Sequence, residues 1–147
     1  MAGVSRQTIE DALKSECVPA LRRAGFKGAF PNFYRETEGF VALVNFQFFS
    51  SGGSFCVNLS FADPERSNIY FRPETAASKL RVSQATERTR LGASSAGNDN
   101  WYSYGATSYG AYRGEPIPVR QLVATVNSLF QSQAEPWWQE KRKHQSA

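Results

Sequence analysis

Histidine, cysteine and long apolar runs are scarce in this chain, and each scarcity excludes a class of protein. Histidine occurs once, as His144, and cysteine twice, as Cys17 and Cys56. This set lacks the ligands of a usual zinc site and the spacing of a redox motif. No run approaches the roughly 18 apolar residues that cross a membrane, and no signal peptide is visible. We expect a cytoplasmic protein with reduced cysteines and no metal or other cofactor.

A strong charge of one sign is also missing. The chain has 17 basic and 13 acidic residues, a net charge of +4, and its basic residues are scattered except near the C-terminus. Surfaces that bind nucleic acid usually concentrate Lys and Arg on one face, so nucleic acid is not the expected partner. The 147 residues suit one domain. We predict a single α+β domain over residues 1–147, ordered over about 5–140, with a tail over 141–147.

Motifs for catalysis are absent from the sequence. There is no P-loop, no Gly-x-Gly-x-x-Gly and no Gly-x-Ser-x-Gly. His144 lies in the predicted tail, where a general base would not be held against a substrate. Asp63, Glu65 and Glu87 are most simply solvated loop carboxylates, since nothing separates them into an acid and a base. We predict no catalytic residue.

Two runs with the period of a β-strand are the most informative feature that the chain does have. Apolar and polar residues alternate over residues 44–47 and over residues 55–60, within strands predicted over about 40–49 and 54–61. One face of each predicted strand is rich in phenylalanine. The opposite face carries Asn45, Gln47 and Asn58, which are poor strand formers. That face is therefore either solvated or a site.

The remaining elements follow from spacing and from turn residues. An apolar stripe with a period of four predicts a helix over about 5–24, in which Pro19 either kinks the helix or begins a second one. Further strands are expected at 32–35 and 87–91, and residues 101–112 form another strand or an ordered aromatic loop. Pro116 and Pro118 open a C-terminal helix, and a short last helix begins near Pro136. We predict an antiparallel meander of about four or five strands, with the N-terminal and C-terminal helices packed on one face.

Five short motifs, in this order, resemble the family catalogued as domain of unknown function 4304. They are Leu21-x-x-x-Gly25-Phe26-Lys27, Phe33-Tyr34-Arg35, Asn45-Phe46-Gln47, Val57-Asn58-Leu59, and Arg88-Thr89-Arg90-Leu91-Gly92 followed by Trp101. The similarity covers about residues 13–138. It implies a shared fold and no particular activity, because the family has no established function.

The polar sheet face is the main candidate site. If the two alternating strands pair, their amides lie side by side, and arginines from the neighbouring strands join them, since amides and guanidinium groups bind carboxylate or phosphate. Tyr34 would replace Arg35 in the other register, and Arg88 could stand for Arg90. The predicted ligand-binding residues are Arg35, Asn45, Gln47, Asn58, Arg90 and Trp101. The structural alternative is a network of amides that satisfy one another or a covering segment.

Two aromatic segments are secondary candidates. Tyr102, Tyr104, Tyr109 and Tyr112 form either a recognition surface or an edge hairpin packed on the core. Trp137 and Trp138, followed by basic residues, could stack on single-stranded nucleic acid, although a tryptophan docked on the core is the simpler interpretation.

These observations favour a non-enzymatic binding or interaction module. Its recognition surface would be the polar sheet face with the Tyr- and Gly-rich loop, and its partner an unidentified protein or a small polar ligand. The alternative is a small enzyme acting on a polar or anionic metabolite bound by arginine and amide side chains. It ranks second because no proton-transfer group is evident in the same place. A membrane is not expected as a partner.

Overall fold

The computed structural model describes residues 4–70, 72–94 and 99–145, and it shows an antiparallel sheet covered by helices on one face. The strands are β1 (Lys27–Ala29), β2 (Asn32–Thr37), β3 (Phe40–Phe48), β4 (Ser54–Ala62), β5 (Arg88–Arg90) and β6 (Tyr102–Ser103). The helices are α1 (Arg6–Ala12), α2 (Val18–Arg23), α3 (Val119–Leu129) and α4 (Glu135–Gln145). The predicted α+β class and antiparallel meander are confirmed. No helix in the described ranges is long and apolar enough to cross a membrane.

The sheet runs in the order β1-β2-β3-β4-β5, and every neighbouring pair is antiparallel. The short strand β6 pairs with the start of β4, so β5 and β6 follow one another along the same edge of that strand. In this register Asn45 faces Asn58 across β3 and β4, and Asn32 faces Asn45 across β2 and β3. Because side chains alternate between faces, these three amides lie in one row on one face.

Both helical regions pass a proline without ending. A π-helical turn, Leu13–Cys17, joins α1 to α2 just before Pro19, and a second one, Phe130–Ala134, joins α3 to α4 just before Pro136. In a regular α-helix the proline ring would clash with the carbonyl four residues earlier. The wider π turn provides room for the ring. The predicted helix near Pro136 is therefore the continuation of the preceding one.

The helices cover the phenylalanine-rich face of the sheet. Apolar residues of β3 and β4 such as Val44, Phe46 and Val57 pack there against Leu13 of the first helical region and Val126 of α3, and all are buried. Trp138 of α4 is also buried, and its Nε1 donates a hydrogen bond to the backbone oxygen of Ser60 at 2.9 Å. Trp138 is thus a core residue.

The opposite face of the sheet divides into two parts. One part is a small apolar cluster of Val41, Leu43, Ala62, Leu80 and Val82, in which the last two come from a segment that crosses the sheet between β4 and β5. That segment contains two 3₁₀ turns, Ala77–Lys79 and Val82–Gln84. The other part of the face carries the amides and is not covered by a helix.

The C-terminal residues up to 145 continue α4 instead of forming the predicted tail. Lys141 pairs with Glu87 beside β5, and Arg142 Nη2 lies 2.9 Å from Glu38 Oε2 in the turn between β2 and β3. Residues 146 and 147 of the predicted tail lie outside the described ranges. The basic side chains at positions 141 and 142 therefore fasten the end of α4 to the sheet.

Candidate functional site

A cleft of about 960 Å³ opens on the uncovered part of the second sheet face. The sheet supplies its floor, the 3₁₀ turn Val82–Gln84 forms one wall, and residues 99–101 with Arg113 form another. The residues that line this polar cleft are Asn32, Asn45, Gln47, Asn58, Arg81, Val82, Ser83, Arg88, Thr89, Arg90, Asp99, Trp101 and Arg113. Four of these are arginines and one is a carboxylate, so the lining has a surplus of positive charge.

Hydrogen bonds join the floor of the cleft into a continuous chain across four strands. Arg90 Nε donates to Asn58 Oδ1 at 3.1 Å. Asn58 Nδ2 donates to Asn45 Oδ1 at 3.0 Å and to Gln47 Oε1 at 2.9 Å. Asn45 Nδ2 then donates to Asn32 Oδ1 at 2.8 Å. We call this row, Arg90-Asn58-Asn45-Asn32 with Gln47 as a branch, the amide chain.

Arg90 sets the direction of the whole amide chain. A guanidinium group can only donate hydrogen bonds, so the oxygen of Asn58 must face Arg90 and its NH₂ group must face the next amide. In the same way, the oxygen of Asn45 accepts from Asn58 and its NH₂ group donates to Asn32. The NH₂ groups of Asn32 and Gln47 are therefore left at the ends of the row. Neither NH₂ group donates to another described residue. The amide chain therefore presents hydrogen-bond donors to the cleft.

One corner of the cleft already holds an anionic group of the protein itself. The carboxylate of Asp99 pairs with Arg90 Nη1, accepts a hydrogen bond from Trp101 Nε1 at 3.1 Å, and lies 3.7 Å from Arg113 Nη2. Both guanidinium groups also stack on the indole of Trp101, with Cζ atoms 4.9 and 4.6 Å from its ring. Arg113 further covers Phe49, at 4.4 Å. At this corner a carboxylate is therefore surrounded by two guanidinium groups and one indole N–H.

The opposite side of the cleft holds two more arginines in different situations. Arg81 Nη1 donates to the backbone oxygens of Ser78 and Leu80 at 3.0 and 2.9 Å, which fixes its guanidinium on the wall. The side chain of Arg88, two residues before Arg90 on the same face of β5, forms no hydrogen bond or ion pair with any described residue. Its charge is therefore available to a ligand.

Cys56 lies beneath the amide chain and is fully buried. Its Sγ donates weakly to Gln47 Oε1 and to Asn58 Oδ1, each at 3.7 Å. Burial raises the pKa of the Cys56 thiol to about 11, although Arg90 and Arg113 act in the opposite direction. The thiol is protonated at neutral pH, so Cys56 is a buried residue beneath the floor and not an activated nucleophile.

The sequence matches the model of a domain family. A family model described as Domain of unknown function (DUF4304) matches residues 17–140 of the chain. The chain belongs to this family. The resemblance inferred from the five motifs is confirmed, and all lining residues of the polar cleft fall inside the DUF4304 range. No curated protein matches the chain, and no solved structure matches it either.

The structure brings five of the six predicted binding residues of this DUF4304 domain into the cleft, and it places Arg35 elsewhere. Arg35 is on the helix-covered face, where Nη1 and Nη2 donate to the Glu135 carboxylate at 2.8 and 2.6 Å. The strand period explains the correction: Phe33 points into the core, so Arg35 two residues later points the same way. Asn32 and Tyr34 point to the other face, and Asn32 is the residue of β2 that joins the cleft.

Sequence reasoning also missed residues that loops bring to the cleft. The alternation of β5 was a usable signal for placing Arg88 together with Arg90. Arg81, Asp99 and Arg113 offered no such signal, because their positions depend on the path of irregular segments. In the described part of the chain, no group of three or more His, Cys, Asp or Glu side chains converges as a metal site would require.

The tyrosine segment is split between the two interpretations. Tyr102 and Tyr104 are buried, and Tyr102 stacks on Phe55 with ring centroids 5.3 Å apart. Tyr109 and Tyr112 are 67% and 60% exposed. The first pair belongs to the packed edge of the sheet, and the second pair lies on the surface.

Proposed function

We propose that the polar cleft binds a small polar anion through a carboxylate or phosphate group. The observation that carries the proposal is the direction of the amide chain, which ends in the NH₂ groups of Asn32 and Gln47, two residues that line the cleft. Four arginines surround these donors, and among the described lining residues one carboxylate, that of Asp99, opposes them. Donors held in place by a packed sheet and flanked by guanidinium groups are suited to an anion, because these donors are already positioned before the anion binds.

The amide chain is also a structural network, and both roles follow from the same contacts. Even without a ligand, every amide oxygen in the row accepts a hydrogen bond from the preceding member. The NH₂ groups at its ends donate no hydrogen bond to another described residue. Asn58 is the centre of the network, since it bonds Arg90, Asn45 and Gln47. Gln47 is a branch that contributes its oxygen and is exposed.

This difference gives a pair of variants that separates binding from folding. Gln47→Ala should weaken the binding of orthophosphate and butyrate several-fold and leave the melting temperature nearly unchanged. Asn58→Ala should weaken binding and also lower stability by about 1–3 kcal/mol, because it leaves partly buried amide and guanidinium groups without their partner. Gln121→Ala, on the exposed side of α3, is the matched control.

The measurement is isothermal titration of each variant with both probes, with thermal unfolding in parallel. The proposal is supported if the wild type binds a probe, if the affinity is lower in Gln47→Ala, and if the affinity is unchanged in Gln121→Ala. A wild-type protein that binds neither probe at millimolar concentration would refute it. Equal affinity in the wild type and in Gln47→Ala would place the anion outside the polar cleft.

A small enzyme remains the second-ranked function, and it needs a group that transfers protons in the same cleft. The thiol beneath the floor is protonated at neutral pH, since burial raises the pKa of Cys56. Asp99 is engaged by Arg90 and Trp101. The contacts of the described residues thus favour binding over catalysis.

A further inference from the structure

We infer that the ligand of the polar cleft is a dianion, with one acidic group at the position now filled by Asp99 and the other at Arg88. The inference rests on the proposed function and adds the class of ligand to it. It follows from two anion positions in one cleft, which differ in what occupies them.

The first anion position consists of Arg90, Arg113 and the indole N–H of Trp101. The Asp99 carboxylate shows that a planar group with two oxygens fits these donors, with Oδ2 3.1 Å from Trp101 Nε1 and 3.7 Å from Arg113 Nη2. Its side chain is 60% exposed, so the position is accessible from solvent. An ion pair at such an exposed place contributes little stability, and a ligand can replace Asp99 at small cost.

The second anion position is Arg88. It lies two residues from Arg90 on the same face of β5, so the two side chains leave the strand about 7 Å apart. Arg88 has no carboxylate partner among the described residues, whereas Arg90 has one. Arg81, held on the wall by backbone oxygens, adds a second positive charge on that side of the cleft.

The charges favour two acidic groups over one. The lining has four arginines, and Asp99 neutralises one of them, which leaves three positive charges. A monoanion that displaced Asp99 would only exchange one carboxylate for another at the first position. A dianion makes that exchange and also adds a charge-assisted hydrogen bond at Arg88.

The test compares dianions with monoanions by titration calorimetry at constant ionic strength, in a mildly acidic buffer in which orthophosphate is mainly a monoanion and pyrophosphate mainly a dianion. The carboxylate arm uses glutarate against butyrate, and the phosphate arm uses pyrophosphate against orthophosphate, so the two arms distinguish the chemical source of the anion. We expect the dianion of at least one arm to bind roughly tenfold more tightly than its monoanion, the effect of one additional charge-assisted hydrogen bond.

Three variants locate the effect. Arg88→Gln should abolish the preference for the dianion, and Asp99→Asn should tighten binding of the dianion several-fold because the first position is vacated. Arg120→Gln removes the same charge from an exposed position on α3 and should retain the wild-type preference. Circular dichroism and the melting temperature verify that each variant is folded.

The outcomes separate the two claims. Equal affinity for dianion and monoanion in both arms would overturn the dianion inference but not the proposal that the cleft binds an anion. A preference for the dianion that is retained in Arg88→Gln would have the same consequence. Weaker binding by Asp99→Asn would also overturn it, since Asp99 would then assist binding by holding Arg90 and Arg113 in place and would not compete with the ligand. Failure of all four probes to bind the wild type would refute the proposed function itself.

Discussion

At the scale of single residues, Cys17 links the stability of the protein to pH. The thiol is fully buried at the π turn of the first helical region, where its Sγ lies 3.8 Å from the backbone oxygen of Val123. Burial, together with the neighbouring Glu16 charge, raises the pKa of Cys17 from 9.0 to about 12. In the folded protein this thiol therefore keeps its proton over a range where the unfolded chain loses it.

Stability should consequently fall in alkali. The pKa of the Cys17 thiol is about 9 in the unfolded chain and about 12 in the folded protein. The contribution of the protonated thiol to the free energy of unfolding is therefore complete below pH 9 and is lost as the pH rises from 9 towards 12. By pH 10 the loss is about 1.4 kcal/mol for this group. Urea unfolding with reductant present, compared between pH 8 and pH 10, measures it. Cys17→Ala is less stable throughout because of its cavity, but its stability should decline less between the two pH values. Parallel declines would contradict the prediction.

Residue by residue, the sequence predicted which side chains lie on the floor of the polar cleft better than which residues form its walls. Asn45, Gln47 and Asn58 lie on long strands, whose alternation fixes the face of every side chain. The error at Arg35 came from disregarding the same rule, since Phe33 was an obvious core residue. The corner around Asp99 could not be predicted, because its contacts depend on loop backbone that no periodic pattern describes.

At the scale of elements, the ion pair between Arg35 and Glu135 joins three parts of the helix-covered face. Arg35 of β2 binds the Glu135 carboxylate at the start of α4 with both terminal nitrogens, and its Nη1 also donates to the Ala24 backbone oxygen at 3.0 Å. Its guanidinium stacks on Phe26 and Trp138, with Cζ 4.6 and 5.5 Å from the rings. A bidentate, partly buried pair of this kind is stronger than an exposed one.

We expect a coupling energy of about 1–2 kcal/mol between Arg35 and Glu135, from a double-mutant cycle of Arg35→Ala and Glu135→Ala measured by chemical unfolding. Lys14 and Glu10 serve as the control pair, because they lie one turn apart on the surface with Nζ and Oε2 3.3 Å apart. Their coupling should be about 0.3–0.5 kcal/mol. Similar couplings for the two pairs would show that partial burial adds nothing at Arg35.

Element boundaries near prolines show what local patterns leave open. Pro19 was expected either to kink the first helix or to begin a second one, and Pro136 to begin a short last helix, because proline interrupts a regular α-helix. The π turns at Leu13–Cys17 and Phe130–Ala134 are a distortion of the helix in both cases. Tertiary packing selects it, since residues on each side of both prolines bury apolar surface in one core, among them Leu13, Leu21, Phe130 and Trp138. A local signal does not contain that information.

At the scale of the whole molecule, the sheet separates two cores of unequal size. The larger core lies under the helices and contains most of the buried side chains. The smaller one joins Val41 and Leu43 of the sheet to Leu80 and Val82 of the crossing segment. That segment is also held by backbone hydrogen bonds from Tyr70 to Gln84 at 2.8 Å and from Thr86 to Asn68 at 2.9 Å. The wall of the polar cleft therefore depends on the smaller core.

Truncation in the smaller core should release the wall before the rest of the molecule unfolds. Leu80 is 2% exposed, and Leu80→Ala should cost about 2–5 kcal/mol. Because only the crossing segment depends on this contact, hydrogen exchange should accelerate over residues 77–86 and not in β3. Affinity for orthophosphate should fall as well, since Arg81 and Val82 leave their positions.

Leu122→Ala provides the matched control, because Leu122 is 1% exposed in the larger core and the same atoms are removed. It should reduce protection in β3 and in the crossing segment together, since the sheet and the helices share that core. If Leu80→Ala also reduced protection in β3 to the same extent, the two cores would be one cooperative unit. The cleft wall could then not open separately from the sheet, and a loss of affinity would report only the unfolded fraction.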